Sequence, residues 1–212
     1  MAKCIVFCAG GFSGLAEPVE KDDLVIAADG GLAHVQKLGI EPRIILGDFD
    51  SLGYVPGGAQ VFPAEKDDTD AMLAARAGLE RGCREFVIYG GLDGPRLEHT
   101  VANFQTLQFL ADRGANAWLV GEKQTVTVLK DGALRFSANA AGYLSLFCLG
   151  EDSTGVTLQG LKYPLTEGTL TAGFPLGVSN QFVGKPASVR VRAGSLLVIY
   201  DRCNGFADRE EF

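Results

Sequence analysis

Five short runs of apolar residues in the first 120 positions constrain the fold more than any other feature of this sequence. They occupy residues 4–8, 24–28, 44–46, 86–89 and 118–120. A strand with one face in water alternates apolar and polar residues, whereas these runs are continuous, which is typical of strands buried on both faces of a parallel sheet. Helices are predicted between them, over residues 32–38, 70–81 and 97–113. The first part of the chain is therefore predicted to be an α/β domain with a doubly wound, mostly parallel sheet.

The apolar runs are followed by glycine or by an acidic residue. The five ends read AGG (9–11), DGG (29–31), GDFD (47–50), GG (90–91) and GE (121–122). In an open α/β sheet the carboxyl ends of the strands line the ligand crevice, so these residues are expected to converge on one site. Any one glycine pair could instead form a plain tight turn, but their recurrence at one edge of the sheet favours a site.

The pattern changes after about residue 122. Short alternating segments separated by glycine-rich turns predict strands over 125–129, 134–136, 143–149, 155–158, 188–192 and 196–200, and no helix is predicted there. This pattern indicates an antiparallel β domain. We place the boundary near residues 122–124, which gives two predicted domains, 1–122 and 123–212.

The charge balance limits the classes of partner. The chain has 26 aspartate and glutamate residues against 19 lysine and arginine residues, a net charge of −7, and no run of basic residues. Neither nucleic acid nor an anionic membrane is therefore an expected partner. An anionic ligand such as a nucleotide would have to be held by metal cations or by a local cationic residue.

The cysteines and the N-terminal segment predict a cytoplasmic protein. The five cysteines are scattered and include no C-x-x-C pair, so we interpret them as buried thiols rather than as a metal or redox site. The first apolar run is too short for a secretion signal or a membrane span.

Two acidic clusters could bind a cation. Residues two apart on an extended segment point the same way, so Asp48 and Asp50 would present two carboxylates to one spot. The alternative is a solvated turn with Asp50 and Ser51 capping a helix. The second cluster, KDDTD (66–70), precedes a predicted helix. Capping explains one or two of its residues, and the remainder could complete a magnesium site with Asp48 and Asp50 for a nucleotide.

The start of the third predicted helix supplies a cationic group. Arg96, His99 and Asn103 share one stripe of this helix. An arginine at a helix N-terminus opposes the helix dipole, so its position suggests an anion such as a phosphate between Arg96 and the helix. The alternative is that Arg96 merely pairs with Asp93 or Glu98.

No covalent chemistry is predicted for this chain. The sequence has no G-x-x-x-x-G-K-[ST] loop, and residues 10–14 form only a weak glycine-rich pattern. No nucleophile triad can be assembled from its two histidines, of which His34 is interpreted as a helix-surface residue. With a nucleophile triad set aside, the chemistry left is transfer of a phosphorus group, in which a metal ion and an arginine stabilise the negative charge.

The motifs resemble, in order, those of the thiamine pyrophosphokinase family. The matching segments are ADGG (28–31), GDFDS (47–51), FPAEKDDTD (62–70), RLEHTVAN (96–103), GLKYPL (160–165) and GVSNQF (177–182). The resemblance covers essentially the whole chain. It implies an N-terminal α/β domain that binds magnesium ATP, a C-terminal β-sandwich, and a homodimer with thiamine at the subunit junction.

The resemblance also implies a reaction and site residues. The thiamine hydroxyl would attack the β-phosphorus of ATP, giving thiamine diphosphate and AMP. Metal, catalytic, nucleotide-binding and thiamine-binding roles are implied for particular residues. The implied metal ligands are Asp48, Asp50 and Asp70, which with Arg96 are also the implied catalytic residues. The implied nucleotide-binding residues are Asp29, Gly30, Gly31, Asp67, Thr69, Arg96 and His99, and the implied thiamine-binding residues are Ser179 and Asn180.

Three positions depart from the commoner family pattern. Glu98 stands where aspartate is usual, Gln181 where glutamate is usual, and Tyr163 where the family has an aromatic residue that is sometimes tryptophan. Because a longer side chain displaces its carboxylate, the role of Glu98 is open. Two other functions are left open as well: a magnesium- and ATP-dependent transferase for a different small alcohol, and a non-catalytic protein that binds nucleotide or thiamine.

Overall fold

The computed structural model describes residues 2–50, 52–63, 65 and 67–211, with the side chain of residue 211 excepted. Ser51, Ala64 and Lys66, which belong to motifs above, lie outside the described residues. The chain divides into two compact units, Met1–Glu122 and Lys123–Phe212. No helix within the described ranges has the length and apolar character needed to cross a membrane.

The first unit contains a parallel sheet. Its strands are β1 (Cys4–Phe7), β2 (Leu24–Ala28), β3 (Ile44–Gly47), β4 (Gln60–Val61), β5 (Glu85–Tyr89) and β6 (Asn116–Val120). Every pairing among them is parallel, in the order β6-β5-β1-β2-β3-β4. The chain first extends the sheet from β1 to β4 and then returns to add β5 on the other side of β1. This reversal is the arrangement of a doubly wound sheet.

Three helices accompany this sheet. They are α1 (Leu32–Lys37), α2 (Asp70–Glu80) and α3 (Leu97–Ala111). On α2 the buried residues are Ala71, Ala74, Ala75 and Gly78, at the three- and four-residue spacing of one helix face. On α3 the buried positions likewise recur along one face, from Thr100 to Leu110. Because one face of α2 and one face of α3 are buried, the orientation of each helix, and with it the direction of the side chains in its first turn, is fixed.

The second unit is antiparallel. Its strands are β7 (Gln124–Phe136), β8 (Tyr143–Cys148), β9 (Ser153–Gln159), β10 (Leu165–Leu170), β11 (Asn180–Gln181), β12 (Ala187–Asp201) and β13 (Asp208–Glu211). One edge of β12 pairs with β7 along nearly its whole length. Its other edge pairs with β9 through the first half of the strand and with β8 through the second half. One long strand therefore takes part in both layers of a sandwich.

A bulge divides the two halves of β12. Its register with β7 shifts between Val191 and Ser195, opposite Asp131, whose φ is +44°. Asp131 Oδ1 accepts a hydrogen bond of 3.1 Å from Gly194 N. Such a bulge bends a strand without ending it. The sequence pattern predicted two strands, 125–129 and 134–136, where the structure has the single strand β7. It likewise predicted 188–192 and 196–200 where the structure has β12, because Asp-Gly and Ala-Gly are also turn signals.

The predicted fold class is confirmed: an α/β domain with a parallel sheet precedes an antiparallel sandwich. The strands missing from the sequence prediction are β4, β10, β11 and β13. Strands β4 and β11 have two residues each, which are too few to show periodicity. Strands β10 and β13 are largely polar in sequence, TEGT and DREE over most of their length, and therefore carry no hydrophobic alternation.

Candidate active site

A cleft of about 510 Å³ opens in the first unit at the point where the strand order reverses. In doubly wound sheets the ligand crevice lies outside the carboxyl ends of the strands at that reversal, here between β1 and β5. The lining residues come from the segments that follow β1, β2, β3 and β5 and from the starts of α2 and α3. They are Cys8, Ala9, Gly10, Ala28, Asp29, Asp48, Asp68, Thr69, Asp70, Ala71, Gly90, Gly91, Gly94, Pro95, Arg96, His99, Thr100 and Asn103.

Three half-buried carboxylates meet in this cleft. One oxygen each from Asp29, Asp48 and Asp70 lies within 4.8 Å of the other two. Carboxylate oxygens at this spacing are the donor set that hard divalent cations such as Mg²⁺ prefer, whereas nitrogen or sulfur donors would favour zinc. The three residues therefore fit a magnesium ion.

Local backbone geometry brings these carboxylates together. Asp29 follows β2 with a φ of +48°, and Asp48 follows Gly47 at the end of β3. Gly47 has a φ of +150°, and a Cβ built on it would lie 3.0 Å from the Cα of Asp29. Glycine thus permits the close approach of the two strand ends. Asp70 is the first residue of α2, where Thr69 Oγ1 accepts a hydrogen bond of 3.2 Å from Met72 N and caps the helix.

Asp50 lies outside the three-carboxylate group. The expectation for Asp48 and Asp50 assumed an extended backbone, but the intervening residue Phe49 is buried and has a φ of +61°. This left-handed residue breaks the alternation of side-chain directions. Asp50 is exposed, and its backbone N–H donates to Asp48 Oδ1 over 3.2 Å. The contact links Asp50 to the site through the orientation of Asp48.

The segment before α2 divides its acidic residues between two tasks. Thr69 and Asp70 line the cleft, as does Asp68, which precedes α2 and forms an ion pair of 3.0 Å with Arg76 of that helix. Asp67 is exposed and does not line the cleft. Thr69 caps α2, so capping explains one residue of the cluster, as the sequence analysis allowed. Asp70 contributes an oxygen to the three-carboxylate group.

Arg96 and His99 lie at the mouth of the cleft. Both side chains are exposed, and Arg96 Nε forms an ion pair of 2.7 Å with Glu98 Oε1. This is one of the two pairings that sequence reasoning had left as an alternative to a phosphate contact. The hydrogen bond from Arg96 lowers the pKa of Glu98, so the glutamate is ionised at neutral pH. Because the pair is exposed it is weak and screened by salt, and an anion in the cleft can compete for Arg96.

Buried polar groups of α3 fix the loop that follows β5. Asn103 Nδ2 donates to Gly91 O over 2.8 Å, and Thr100 Oγ1 donates to Leu92 O over 3.2 Å. Asn103 was expected on one polar stripe with Arg96 and His99. Its side chain is instead buried and hydrogen-bonds to the backbone of the loop after β5. Gly30 and Gly31 complete a 3-10 turn after Asp29 and do not themselves line the cleft.

Cys8 lines the cleft, and it is not activated as a nucleophile. Burial, with a smaller contribution from the negative charge of Asp70, raises the pKa of the Cys8 thiol to about 12. The thiol is therefore protonated at neutral pH and is a poor nucleophile. All five cysteines are free, and the predicted burial is confirmed for Cys4, Cys8 and Cys83; Cys148 is half-buried, and the prediction is wrong for Cys203, which is exposed.

The two predicted thiamine-binding residues lie in the second unit and differ in character. Ser179 is exposed with a φ of +60°, and its backbone N–H donates to Ser145 Oγ over 3.0 Å. Asn180 is buried: its Oδ1 accepts from Tyr163 N, and its Nδ2 donates to Tyr163 O over 2.8 Å. The Asn180 amide is thus used to hold the backbone of Tyr163, whose side chain is 57% exposed.

Sequence reasoning missed two features of the site. Asp29 was assigned to nucleotide binding and not to the cation, although it ends a strand beside the one that Asp48 ends, and the pairing of β2 with β3 supplies the missing signal. His34 was interpreted as a helix-surface residue, but its Nε2 lies 2.9 Å from Gly10 O at the rim of the cleft. No pattern in the sequence reveals that contact, because it depends on where α1 packs.

Comparison with protein families gives two matches along the chain. Residues 15–119 match the family described as thiamin pyrophosphokinase, catalytic domain, and residues 133–196 match thiamin pyrophosphokinase, vitamin B1 binding domain. The first match includes the three carboxylates and Arg96, and the second includes Tyr163, Ser179 and Asn180. Together the two models cover well over half of the 212 residues.

Individual relatives align over almost the whole chain. The thiamine pyrophosphokinase of Bacillus subtilis (strain 168) is 28% identical over an alignment of 210 positions, which covers 93% of this chain and 98% of that protein. A crystal structure of thiamine pyrophosphokinase from Bacillus subtilis superposes with a TM-score of 0.82 at 27% identity and covers 95% of this chain and 99% of its own. A structure of the Geobacillus thermodenitrificans thiamin pyrophosphokinase gives 0.75 at 28% identity, covering 95% and 97%. With both domain models of one family matched in order, the chain belongs to the thiamin pyrophosphokinase family.

Proposed function

We propose that this chain is a thiamine pyrophosphokinase that transfers the pyrophosphoryl group of ATP to thiamine and depends on magnesium. The hydroxyl oxygen of thiamine forms a bond to the β-phosphorus of ATP, the bond between that phosphorus and the α,β-bridging oxygen breaks, and AMP leaves. The hydroxyl proton is released. The observation that carries the proposal is the group of three carboxylates within 4.8 Å in the cleft of a catalytic domain of this family.

The proposed cation ligands are Asp29, Asp48 and Asp70. A bound magnesium ion would neutralise charge on the ATP phosphates, which an acidic cleft would otherwise repel. Asp50, which sequence analysis assigned to the same role, is proposed to act from the exposed side by orienting Asp48 and by facing the entering metal nucleotide. We retain Asp67 and Thr69 as proposed nucleotide-site residues, Thr69 through its cap on α2 and Asp67 from the rim.

The phosphates are proposed to be bound between Arg96, His99 and the Asp29 end of the turn Asp29–Gly31, with Gly30 and Gly31 giving that turn its shape. Arg96 can exchange its exposed pairing with Glu98 for a phosphate, and a guanidinium can contact two phosphate oxygens at once. With a protonated Cys8 and no histidine-activated nucleophile in the described cleft, these residues act by orienting the reactants and by balancing charge.

Thiamine is proposed to bind to the second unit, in a homodimer, with Ser179 near the substrate and Asn180 acting through Tyr163. The exposed apolar side chains of this unit support association, because four of the seven fall within residues 174–183 and a contiguous exposed apolar patch marks an interaction site. They are Tyr143, Phe147, Tyr163, Phe174, Leu176, Val178 and Val183. We also propose a cytoplasmic location, on the cysteine pattern of the sequence.

The reaction is tested by incubating the purified protein with thiamine, ATP and magnesium and separating the products by chromatography. We expect thiamine diphosphate and AMP in equal amounts, no product after chelation of divalent ions, and recovery when magnesium is restored in excess. ADP as the sole nucleotide product would contradict the proposal. Faster turnover of another small alcohol would favour the alternative acceptor, and nucleotide binding without any product would favour a binding protein.

Removal of one cation ligand should abolish most of the activity. Asp48→Asn and Asp70→Asn keep the shape of the side chain but remove the charge, so we expect turnover to fall at least about a hundredfold while the fold is retained. Initial rates and circular dichroism measured in parallel decide this. Asp22→Asn, an exposed aspartate in the turn before β2, is the matched control and should keep the parental rate. A folded variant with near-parental activity would remove that aspartate from the site.

Substitution of Arg96 by lysine tests the phosphate contact. Lysine keeps the positive charge and the exposed position but cannot make a bidentate contact, so Arg96→Lys is expected to lower kcat/KM for ATP by about tenfold. Steady-state kinetics at several ATP concentrations measure the change. If the variant matches the parent, Arg96 serves only in its ion pair with Glu98.

The proposed dimer predicts the mass of the active species. Light scattering under assay conditions is expected to give twice the 22.5 kDa mass of the chain. A single monomer mass at full activity would refute the proposed junction site for thiamine.

A further inference from the structure

His34, on α1, contacts a loop that lines the cleft without lining the cleft itself. Its Nε2 lies 2.9 Å from the carbonyl oxygen of Gly10, and Gly10 lines the cleft while His34 does not. A carbonyl oxygen can only accept a hydrogen bond, so Nε2 carries the proton and donates it. The carbonyl of Gly10 is thereby held toward α1.

The position of His34 is itself fixed by the start of α1. The 3-10 turn Asp29–Gly31 leads directly into this helix. A Cβ built on Gly31 would lie 1.9 Å from Phe7 O, so only glycine permits the turn to rest against the end of β1. The segment that carries the cation ligand Asp29 is therefore in contact with the strand that precedes the Gly10 loop, and His34 extends that contact to the loop.

The same loop is held from its other side by backbone hydrogen bonds. Gly10 N donates to Gly90 O over 2.9 Å, and Gly11 N donates to Asp93 O over 3.1 Å. These two bonds connect the loop after β1 with the loop after β5. Within the described hydrogen bonds, His34 supplies the side-chain donor to Gly10 O.

An aromatic cluster keeps the imidazole in place. The ring of Phe12, in the loop, lies 5.2 Å from the His34 ring and 5.6 Å from the Tyr89 ring, which it meets edge on. Tyr89 in turn stacks on Phe7 at 5.4 Å, and its hydroxyl accepts a hydrogen bond of 3.0 Å from Ala16 N. Phe7 of β1 and Tyr89 of β5 thus form one aromatic cluster with Phe12, and the His34 ring packs against Phe12 of this cluster.

We propose that His34 is a positioning residue for the nucleotide: by holding Gly10 O away from the cleft, it keeps a carbonyl dipole from facing the phosphates and fixes the width of the cleft at its glycine loop. The physical reason is electrostatic. A carbonyl oxygen that turned into the cleft would add negative charge density to a space that already contains three carboxylates. The inference rests on the proposed nucleotide-binding function for its kinetic test, but not for its structural test.

The kinetic test compares four proteins: the parent, His34→Ala, His34→Gln and Gln36→Ala. Alanine removes the donor, glutamine places an amide N–H at similar reach, and Gln36→Ala removes an exposed side chain from the same helix as a control. Loss of one hydrogen bond to the loop is expected to raise KM for ATP about three- to tenfold in His34→Ala. KM for thiamine should stay at the parental value, and His34→Gln should recover most of the ATP affinity.

The structural test is amide hydrogen exchange of the segment 9–14 in the same proteins without substrate. The N–H groups of Gly10 and Gly11 are hydrogen-bonded, so a loosened loop should exchange faster in His34→Ala than in the parent, and near-parental exchange is expected in the other two variants. If His34→Ala does not fold, His34→Asn replaces it, because asparagine keeps polarity but is too short to reach Gly10 O.

The outcomes separate this inference from the proposed reaction. A folded His34→Ala or His34→Asn protein with parental KM for ATP and parental exchange in segment 9–14 would overturn the inference. Equal increases of KM for ATP and for thiamine would also overturn it, since they indicate general destabilisation. If the parent forms no thiamine diphosphate, the proposed function fails, and hydrogen exchange alone then decides the role of His34.

Discussion

Repulsion among Asp29, Asp48 and Asp70 is the interaction around which the first unit is arranged. Three carboxylates within 4.8 Å, on a chain of net charge −7, are stable together where a cation or a hydrogen-bonded scaffold offsets their repulsion. Gly47 at the end of β3 lets Asp48 approach Asp29, and the cap formed by Thr69 on α2 places Asp70 beside them. Burial, with a smaller contribution from the charge of Asp70, keeps Cys8 protonated, and the cationic Arg96 lies in the lining of the same cleft.

The loops around these carboxylates are fixed mainly through their backbone carbonyl groups. His34, Thr100 and Asn103 each donate to a carbonyl oxygen in a loop that follows β1 or β5. Carbonyl groups used in this way do not compete with the carboxylates for a cation and do not repel phosphates. Glycine-rich loops would otherwise be free to adopt many conformations. Some residues of the family motifs therefore hold the backbone of a neighbouring segment, as the buried side chains of Asn103 and Asn180 do.

Much of the fold follows from the sequence because burial on both faces leaves a continuous apolar run, as in residues 24–28 and 86–89. The strand order could not be read locally: which strand lies beside β1 depends on contacts between distant segments, and so does the packing that carries His34 to Gly10. For the site, the rule that strand ends converge predicted where Asp29 and Asp48 meet. The rule of alternating side chains did not hold for Asp50, because the buried Phe49 before it has a left-handed backbone and the segment is not extended there.

The bulge in β12 has a consequence for how the second unit holds together. Because this strand hydrogen-bonds to β9 through its first half and to β8 through its second half, the two layers share one continuous backbone. Side chains from both halves, among them Val189 and Val198, belong to the same buried cluster. A sandwich of two independent sheets can part along the plane between them, but here that plane is crossed by a covalent chain in mid-strand. We therefore expect local opening in this unit at its margins, where the short strand β11 and the exposed residues around Ser179 are found.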